Sequence, residues 1–119
     1  MVETSAVMYG IPNCDTIKKA RNWLQQQGID YQFHDYKKHG VDSDQLQAWI
    51  DELGWETLIN KRGTTWRKLD DATKNNMDAT AALQVMLDNP SIIKRPLLIV
   101  GDRKLLGFDE NQYRELFNA

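Results

Sequence analysis

Two kinds of hydrophobic spacing follow one another in the first forty residues, and this succession constrains the fold more than any other feature. A short apolar run at 7–9 is stopped by the turn-forming cluster 10–13. Apolar residues then recur at helical spacing from about Cys14 up to Gly28, after which 29–36 alternates like a half-buried strand. Because a helix separates the two strands, we expect them to be parallel and joined by a right-handed crossover.

The middle of the chain, about residues 42–90, carries helical patterns throughout. One helix is expected to begin at Asp42 or Ser43 and to end at Gly54, and a later one begins after the cap residue Asp78. We interpret this stretch as a helical insertion that forms a lid or subdomain packed on the sheet.

The C-terminal part returns to strand signals. Residues 97–100 form an aliphatic run, a two-residue turn follows, and 104–106 supplies an antiparallel partner. A last helix is capped by Asp109. The order is β-α-β, a helical insertion, then β-β-α, and it predicts an α/β thioredoxin-like fold with a four-stranded mixed sheet. We expect one domain over residues 1–119.

Composition excludes several classes of function. Fifteen basic against 17 acidic residues give a net charge of −2, without the basic excess that binding to a nucleic-acid backbone requires. The aliphatic run at 97–100 is far shorter than the roughly 20 apolar residues of a membrane span. Residues 1–5 carry no basic segment of a secretory signal, and one cysteine cannot form an internal disulfide. We therefore expect a cytoplasmic monomer with neither nucleic acid nor membrane as partner.

Metal sites and ligand cages are also not expected. One cysteine with His34 and His39 gives no metal-ligand spacing, so we predict no bound metal. The chain has four tryptophans, and we predict them to be core residues rather than a ligand cage: Trp23, Trp49, Trp55 and Trp66.

Cys14 is the first candidate for chemistry because it lies where a turn passes into a helix N-terminus. Free N–H groups and the helix dipole there lower thiol pKa values from about 8.5 to roughly 3.5–7.5 in known cases. Lys18, one turn further on, adds positive charge, whereas Asp15 opposes it. The alternative is a buried cysteine that acts as a small hydrophobic residue, but such a residue needs neither a turn before it nor a helix after it.

Arg95 and Pro96 directly precede the strand at 97–100, whose start should lie beside the exit of the first strand and near Cys14. A cis bond between them would expose a backbone edge to a peptide-like thiol substrate. The alternative is that Pro96 only opens a strand and Arg95 is solvated. Arg62 and Arg67, from the insertion, are candidates to bind an oxyanion or carboxylate, and plain surface placement is their alternative.

Three segments together resemble the glutaredoxin-like arsenate reductase (ArsC) and Spx family: YGIPNCDTIKKA at 9–20, RGTTWRKL at 62–69 and IKRPL at 93–97. The similarity covers nearly the whole chain in order and length. It implies a thioredoxin fold with a helical insertion. In the reductases a cysteine attacks arsenate and three arginines bind it. The resemblance matches the cysteine with Cys14, the first arginine with Arg62 and the second with Arg95.

This chain departs from both branches of that family. The third arginine is expected within 105–108, where none occurs, and the loop after the first strand lacks the histidine that assists the thiolate in the reductases. Spx regulators bind the RNA polymerase α subunit and often carry a Cys-x-x-Cys switch, whose second position is Ile17 here. The resemblance therefore implies a site with a single thiol.

From these observations we expect a glutathione-dependent thiol reductase. Cys14 would attack a mixed disulfide or an oxidised small molecule, and glutathione would resolve the adduct as co-substrate, with no bound cofactor. The expected binding residues for substrate or glutathione are Arg62, Arg95, Pro96, Asn13 and Lys18. The alternatives are an arsenate reductase that works with glutathione and glutaredoxin, and a Spx-like protein that binds the RNA polymerase α subunit.

Overall fold

The computed structural model describes residues 6–118. The prediction that there is no secretory signal rests on residues 1–5 and so falls outside the described residues. The described chain divides into two compact units, one of residues 6–39 and 95–118 and one of Gly40–Lys94. In chain order the elements are β1 (Ala6–Gly10), α1 (Asp15–Gln26), β2 (Gln32–Asp35), α2 (Tyr36–His39), α3 (Ser43–Leu53), α4 (Trp55–Leu58), α5 (Thr64–Lys68), α6 (Asp71–Asn75), α7 (Ala79–Asp88), a 3₁₀ turn (Pro90–Ile92), β3 (Leu97–Val100), β4 (Arg103–Leu106) and α8 (Glu110–Phe117).

The first unit contains one four-stranded sheet with the order β2-β1-β3-β4. β1 and β2 run parallel, with Gly10 opposite Asp35, as expected for strands joined through α1. β3 is antiparallel to β1, with Leu97 opposite Tyr9, and β4 is antiparallel to β3. The predicted thioredoxin-like fold with a mixed sheet is confirmed.

The core of this unit lies between the sheet and the helices α1 and α8. Its fully enclosed members are Ala6, Met8, Ile17, Ala20, Trp23, Leu24, Leu98 and Tyr113. The predicted cap of α8 is present, since Asp109 accepts a hydrogen bond from the Gln112 N–H. The Phe108 ring before the cap meets Tyr113 edge-on at 4.8 Å, as in a hydrophobic staple. Burial of one face of α1 against the sheet fixes the helix that begins beside Cys14.

The second strand is shorter than predicted. Gly28 adopts φ +69 and the Ile29 N–H bonds to the Leu24 carbonyl at 3.0 Å, so this part of the chain still closes α1. At the other end the Asp35 carboxylate accepts the Lys37 N–H at 2.8 Å and starts α2 at Tyr36. The alternation of 29–36 correctly marked partly buried residues, but backbone pairing is limited to β2.

The second unit is mostly helical, as predicted. Asp42 and Asp78 cap α3 and α7 by accepting backbone N–H bonds. The expectation of helix throughout about 42–90 is wrong at Ile59, which forms an antiparallel β-bridge with Ile93, and α6 was not predicted. Gly63 is the N-cap of α5.

The tryptophans divide into two pairs. Trp23 and Trp49 are buried, as predicted. Trp55 and Trp66 are only half-buried, so the core prediction is wrong for them. Lys61 in the same unit explains this, because its Nζ lies 5.6 Å from the Trp55 ring and 5.5 Å from the Trp66 ring in cation–π contacts at the surface.

Residues 6–118 contain neither a membrane-spanning helix nor a group of metal ligands. The helices there are all too short or too polar to cross a bilayer. Within the same residues, His, Cys, Asp and Glu side chains nowhere gather in threes as a metal-ligand set.

Candidate functional site

The candidate site is built at the exit of β1. The strand ends at Gly10, residues 11–14 form the turn, and α1 begins at Asp15. Cys14 is the N-cap: its backbone is extended, with φ −133 and ψ 129, and its carbonyl accepts the Lys18 N–H at 2.9 Å. Its side chain is half-buried, and the sulfur accepts no well-aligned capping hydrogen bond. A half-buried sulfur at a helix N-terminus is accessible to a reactant.

The surroundings of Cys14 favour the thiolate. Partial burial raises the pKa of the thiol, but the N–H groups of Ile17 and Thr16 and the Arg95 guanidinium outweigh this and bring the pKa below its usual value. Arg95 acts on the sulfur both as a positive charge and as a hydrogen-bond donor. The two causes are independent, one from the first turn of α1 and one from the residue before β3.

Sheet register places Arg95 and Pro96 at this end of β1. β3 runs antiparallel to β1 with Leu97 opposite Tyr9, so the start of β3 lies beside the β1 exit, as expected. The Arg95–Pro96 peptide bond is cis, and the buried Pro96 accepts the Gly107 N–H through its carbonyl at 2.9 Å.

The other predicted residues fall on both units. Asn13 and Lys18 are exposed on either side of Cys14. The groups that lower the pKa of Cys14 are backbone amides and Arg95, and Lys18 is not one of them. Arg62 and Arg67 belong to the second unit, where both are exposed; the Arg62 N–H donates to the Asn60 side chain at 3.1 Å.

Sequence reasoning missed two residues at this end of the sheet. Gly10 packs so tightly that a Cβ there would lie 2.5 Å from Ile17 Cδ1 and 3.8 Å from Arg95 Cβ. Tyr36, which follows the last residue of β2, is 2% exposed. The sequence contains one signal for the end of β2, next to Tyr36. An aspartate such as Asp35 can accept the backbone N–H two residues later and so form a turn that ends a strand.

The close approach at Gly10 leads to a prediction. Gly10→Ala should lower the free energy of unfolding by about 1–3 kcal/mol, because the new methyl group overlaps the buried Ile17 side chain. Urea denaturation measures this effect. Ile17→Val deletes Cδ1, so Gly10→Ala combined with Ile17→Val should be no less stable than Ile17→Val alone. A Gly10→Ala protein as stable as the wild type would contradict the packing described.

The lowered pKa of Cys14 also predicts how stability depends on pH. The folded state binds the thiol proton more weakly than the unfolded chain, where the pKa is about 8.5. The thiolate therefore contributes stability that is fully present above about pH 8.5 and is lost as the pH falls through the folded value. The free energy of unfolding of the wild type minus that of Cys14→Ser should rise from pH 6 to pH 9. A difference that stays flat or falls over this range would refute the lowered pKa.

Comparison with known proteins agrees with this geometry. The ArsC family model matches residues 9–116. A solved structure of a YffB protein is 49% identical with a TM-score of 0.89, and the match covers 92% of this chain and 96% of that one. The solution structure of an arsenate reductase (ArsC) related protein from Brucella melitensis is 45% identical with a TM-score of 0.80, and covers 100% of this chain and 99% of its own.

Regulators are found among the relatives as well. The global transcriptional regulator Spx of Streptococcus pyogenes serotype M6 is 29% identical over 105 residues, which cover 87% of this chain and 78% of the regulator. Both branches of the predicted resemblance are therefore present among similar proteins. Because the family match at 9–116 includes Cys14, Arg62 and Arg95 and spans most of the sequence, the chain belongs to the ArsC family.

Proposed function

We propose that this protein is a glutathione-dependent thiol reductase that works through Cys14 alone. The observation that supports this best is the paired stabilisation of the Cys14 thiolate by the N-terminal amides of α1 and by Arg95. A thiolate is the reactive form in thiol–disulfide exchange. The sequence contains no second cysteine, so the resolving thiol must come from another molecule. Glutathione is the abundant thiol of the reducing cytoplasm, where we place this chemistry.

The proposed cycle has two exchange steps. The Cys14 thiolate attacks the glutathione sulfur of a mixed disulfide, a Cys14–glutathione bond forms, and the substrate leaves as a thiolate that takes up a proton. A second glutathione thiolate then attacks the glutathione sulfur of the adduct. Glutathione disulfide is released, Cys14 returns as thiolate, and the substrate has gained two electrons.

The residues around Cys14 suit a peptide-like, anionic co-substrate. Arg95 is half-buried beside the sulfur, and a guanidinium binds a carboxylate through two parallel hydrogen bonds. Asn13 and Lys18 are exposed on either side of Cys14 in the chain and Pro96 adjoins Arg95, so we assign these three to the binding surface. Arg62 is proposed as a second group for a glutathione carboxylate or for the anionic part of the substrate.

Intact-mass spectrometry tests the proposal. Incubation with glutathione disulfide should add one glutathione to the wild type, and reduced glutathione should remove it. Cys14→Ser is the blank and should gain no mass. The proposal fails when the wild type stays unmodified. It also fails when the Cys14 adduct forms but reduced glutathione removes it no faster than it removes glutathione from a small-molecule thiol.

Arsenate reduction is the second candidate. The support is the similarity to an arsenate reductase (ArsC) related protein. The family resemblance adds the correspondence that it implies for Cys14, Arg62 and Arg95 with the residues that attack and bind arsenate in the reductases. Residues 105–108 contain no third arginine, which removes one charge-assisted contact to the anion. Arsenate-dependent NADPH oxidation with glutathione, glutathione reductase and glutaredoxin tests it. Turnover that is absent in Cys14→Ser would favour this function.

A regulatory role is the third candidate, and similarity to Spx supports it. Ile17 occupies the second cysteine position of the Cys-x-x-Cys motif, so this redox switch is absent. Without the switch, binding of the RNA polymerase α subunit does not need a reactive thiol. Capture of the purified α subunit by wild type and Cys14→Ser alike would support this role. Lack of binding at micromolar concentrations of both proteins would remove it.

A further inference from the structure

The loop that carries Arg62 is fixed at several consecutive residues. It begins at Ile59, which follows α4, and it ends at Gly63, the N-cap of α5. Two backbone hydrogen bonds, of 2.7 and 2.8 Å, flank the β-bridge that Ile59 forms with Ile93. Loops are usually more mobile than the helices they join. An ordered loop that exposes an arginine therefore calls for a functional explanation.

Asn60 makes three of the contacts that hold this loop. Its backbone N–H donates to the Ile92 carbonyl at 2.8 Å, which ties the loop to the 3₁₀ turn. Its side-chain Oδ1 accepts the Arg62 N–H at 3.1 Å, and its backbone carbonyl accepts the Gly63 N–H at 3.4 Å. The bond to Oδ1 is an Asx turn, in which an asparagine side chain fixes the backbone two residues later. One half-buried side chain therefore holds the backbone of Arg62.

Gly63 packs closely against the same asparagine. A Cβ at position 63 would lie 3.1 Å from Asn60 Nδ2, which is tighter than an ordinary van der Waals contact. The backbone of Gly63, with φ −83 and ψ 164, is one that any residue can adopt. The close approach of Asn60, rather than the backbone conformation, therefore favours glycine at this position.

Lys61 fixes the loop through its side chain. Its Nζ lies 5.6 Å from the Trp55 ring and 5.5 Å from the Trp66 ring. These cation–π contacts connect α4, before the loop, with α5, after it. The next residue, Arg62, has an exposed side chain on a backbone that is held by the residues on both sides of it.

We propose that Asn60 is a positioning residue, which fixes the backbone of Arg62 so that the guanidinium is already placed to bind a carboxylate of glutathione. The inference rests on the proposed function, in which Arg62 binds an anionic group. Ordering a flexible segment on binding weakens the binding, and a segment that is ordered beforehand avoids this cost. Asn60 itself does not touch the substrate. Its effect passes through Arg62 and disappears when Arg62 is absent.

Two disulfides distinguish anion binding from general damage to the protein. Glutathione disulfide carries carboxylates, whereas 2-hydroxyethyl disulfide is uncharged, and both add to Cys14 by the same exchange step. Intact-mass spectrometry gives the rate of each addition. Asn60→Ala should slow the reaction with glutathione disulfide by about 3- to 10-fold and leave the rate with 2-hydroxyethyl disulfide unchanged. Arg62→Ala should have the same selective effect, and Asn60→Ala should add nothing further in the Arg62→Ala background.

Asn76→Ala is the matched control. Asn76 lies in the same unit, and its Nδ2 donates to the Ala72 carbonyl at 2.8 Å, so this substitution also removes a hydrogen bond from an asparagine side chain to the backbone. Both of its rates should equal those of the wild type. Asn60→Ser keeps a weaker turn acceptor and should react with glutathione disulfide at an intermediate rate. It replaces Asn60→Ala in every comparison when Asn60→Ala does not fold.

The outcomes separate this inference from the proposed function. Asn60→Ala that reacts with glutathione disulfide as fast as the wild type, while Arg62→Ala is slow, would overturn the inference alone. Equal slowing with both disulfides, or a further loss in the Arg62→Ala background, would also overturn it, because Asn60 would then not act through Arg62. A wild type that forms no glutathione adduct would remove the proposed function together with the inference.

Discussion

Arg95→Ala is expected to slow the reaction of Cys14 with glutathione disulfide by about 10- to 100-fold, even at a pH where the thiol is fully ionised. A hydrogen bond to a charged group contributes about 1.5–3 kcal/mol, and this substitution removes the guanidinium beside the sulfur that is proposed to bind a glutathione carboxylate. Stopped-flow or quenched mass measurements near pH 10 separate this binding effect from the change in thiol pKa.

Arg103→Ala is the matched control for that substitution. Arg103 is exposed at the start of β4 and pairs in register with Val100, at the opposite end of β3 from Arg95. Arg103→Ala removes the same charge from the same unit without touching the site. The rate of its reaction with glutathione disulfide should therefore stay within about twofold of the wild-type rate. Equal rates for Arg95→Ala and Arg103→Ala would show that Arg95 contributes only net charge.

Leu24→Ala should cause a large loss of stability, about 2–5 kcal/mol in the free energy of unfolding. Leu24 is fully buried in the face of α1 that packs on the sheet, and its truncation leaves a cavity there. Leu116→Ala in α8 is the control, because Leu116 is only half-buried and should lose less. Chemical denaturation followed by tryptophan fluorescence measures both.

The same Leu24→Ala variant separates stability from reactivity. The substituted position lies more than two helical turns from Cys14, and the amides and the guanidinium that lower the thiol pKa remain in place. The apparent pKa of Cys14 in the folded variant should therefore equal that of the wild type. A pKa that rises in parallel with the loss of stability would mean that the site depends on the rigidity of the whole core.

Local signals in the sequence were sufficient for most of the first unit. Gly28 ended α1 with a positive φ, Asp109 capped α8, and the run 97–100 formed the buried strand β3. These features depend on neighbours along the chain, which a single sequence displays. Pairing directions followed from the order of strands and helices, since a helical crossover requires parallel strands.

Features that depend on distant residues were not predictable. The bridge between Ile59 and Ile93 joins residues far apart in the chain, and neither stretch shows strand alternation long enough to indicate it. Trp55 and Trp66 have the hydrophobic character of core residues, but Lys61 lies against both rings at the surface. Whether an aromatic ring packs in a core or against a lysine ammonium group is decided by tertiary structure.

The candidate site was predicted in part for the same reason. Cys14 stood out because its turn and its helix are adjacent in sequence, and Arg95 because it precedes a recognisable strand. The close approach of Gly10 to Ile17 and the burial of Tyr36 arise only when β1, β2 and α1 are assembled. The reactive group could be predicted from the sequence, whereas the supporting residues could be identified only in the folded structure.

The pH dependence of iodoacetamide alkylation, measured on wild type, Arg95→Ala and Arg103→Ala, tests the central claim most directly. The only thiol is Cys14, so the signal has one source. We predict an apparent pKa clearly below about 8.5 in the wild type, an upward shift in Arg95→Ala and none in Arg103→Ala. A wild-type value at or above about 8.5 that Arg95→Ala leaves unchanged would contradict a prepared thiolate at this helix N-terminus.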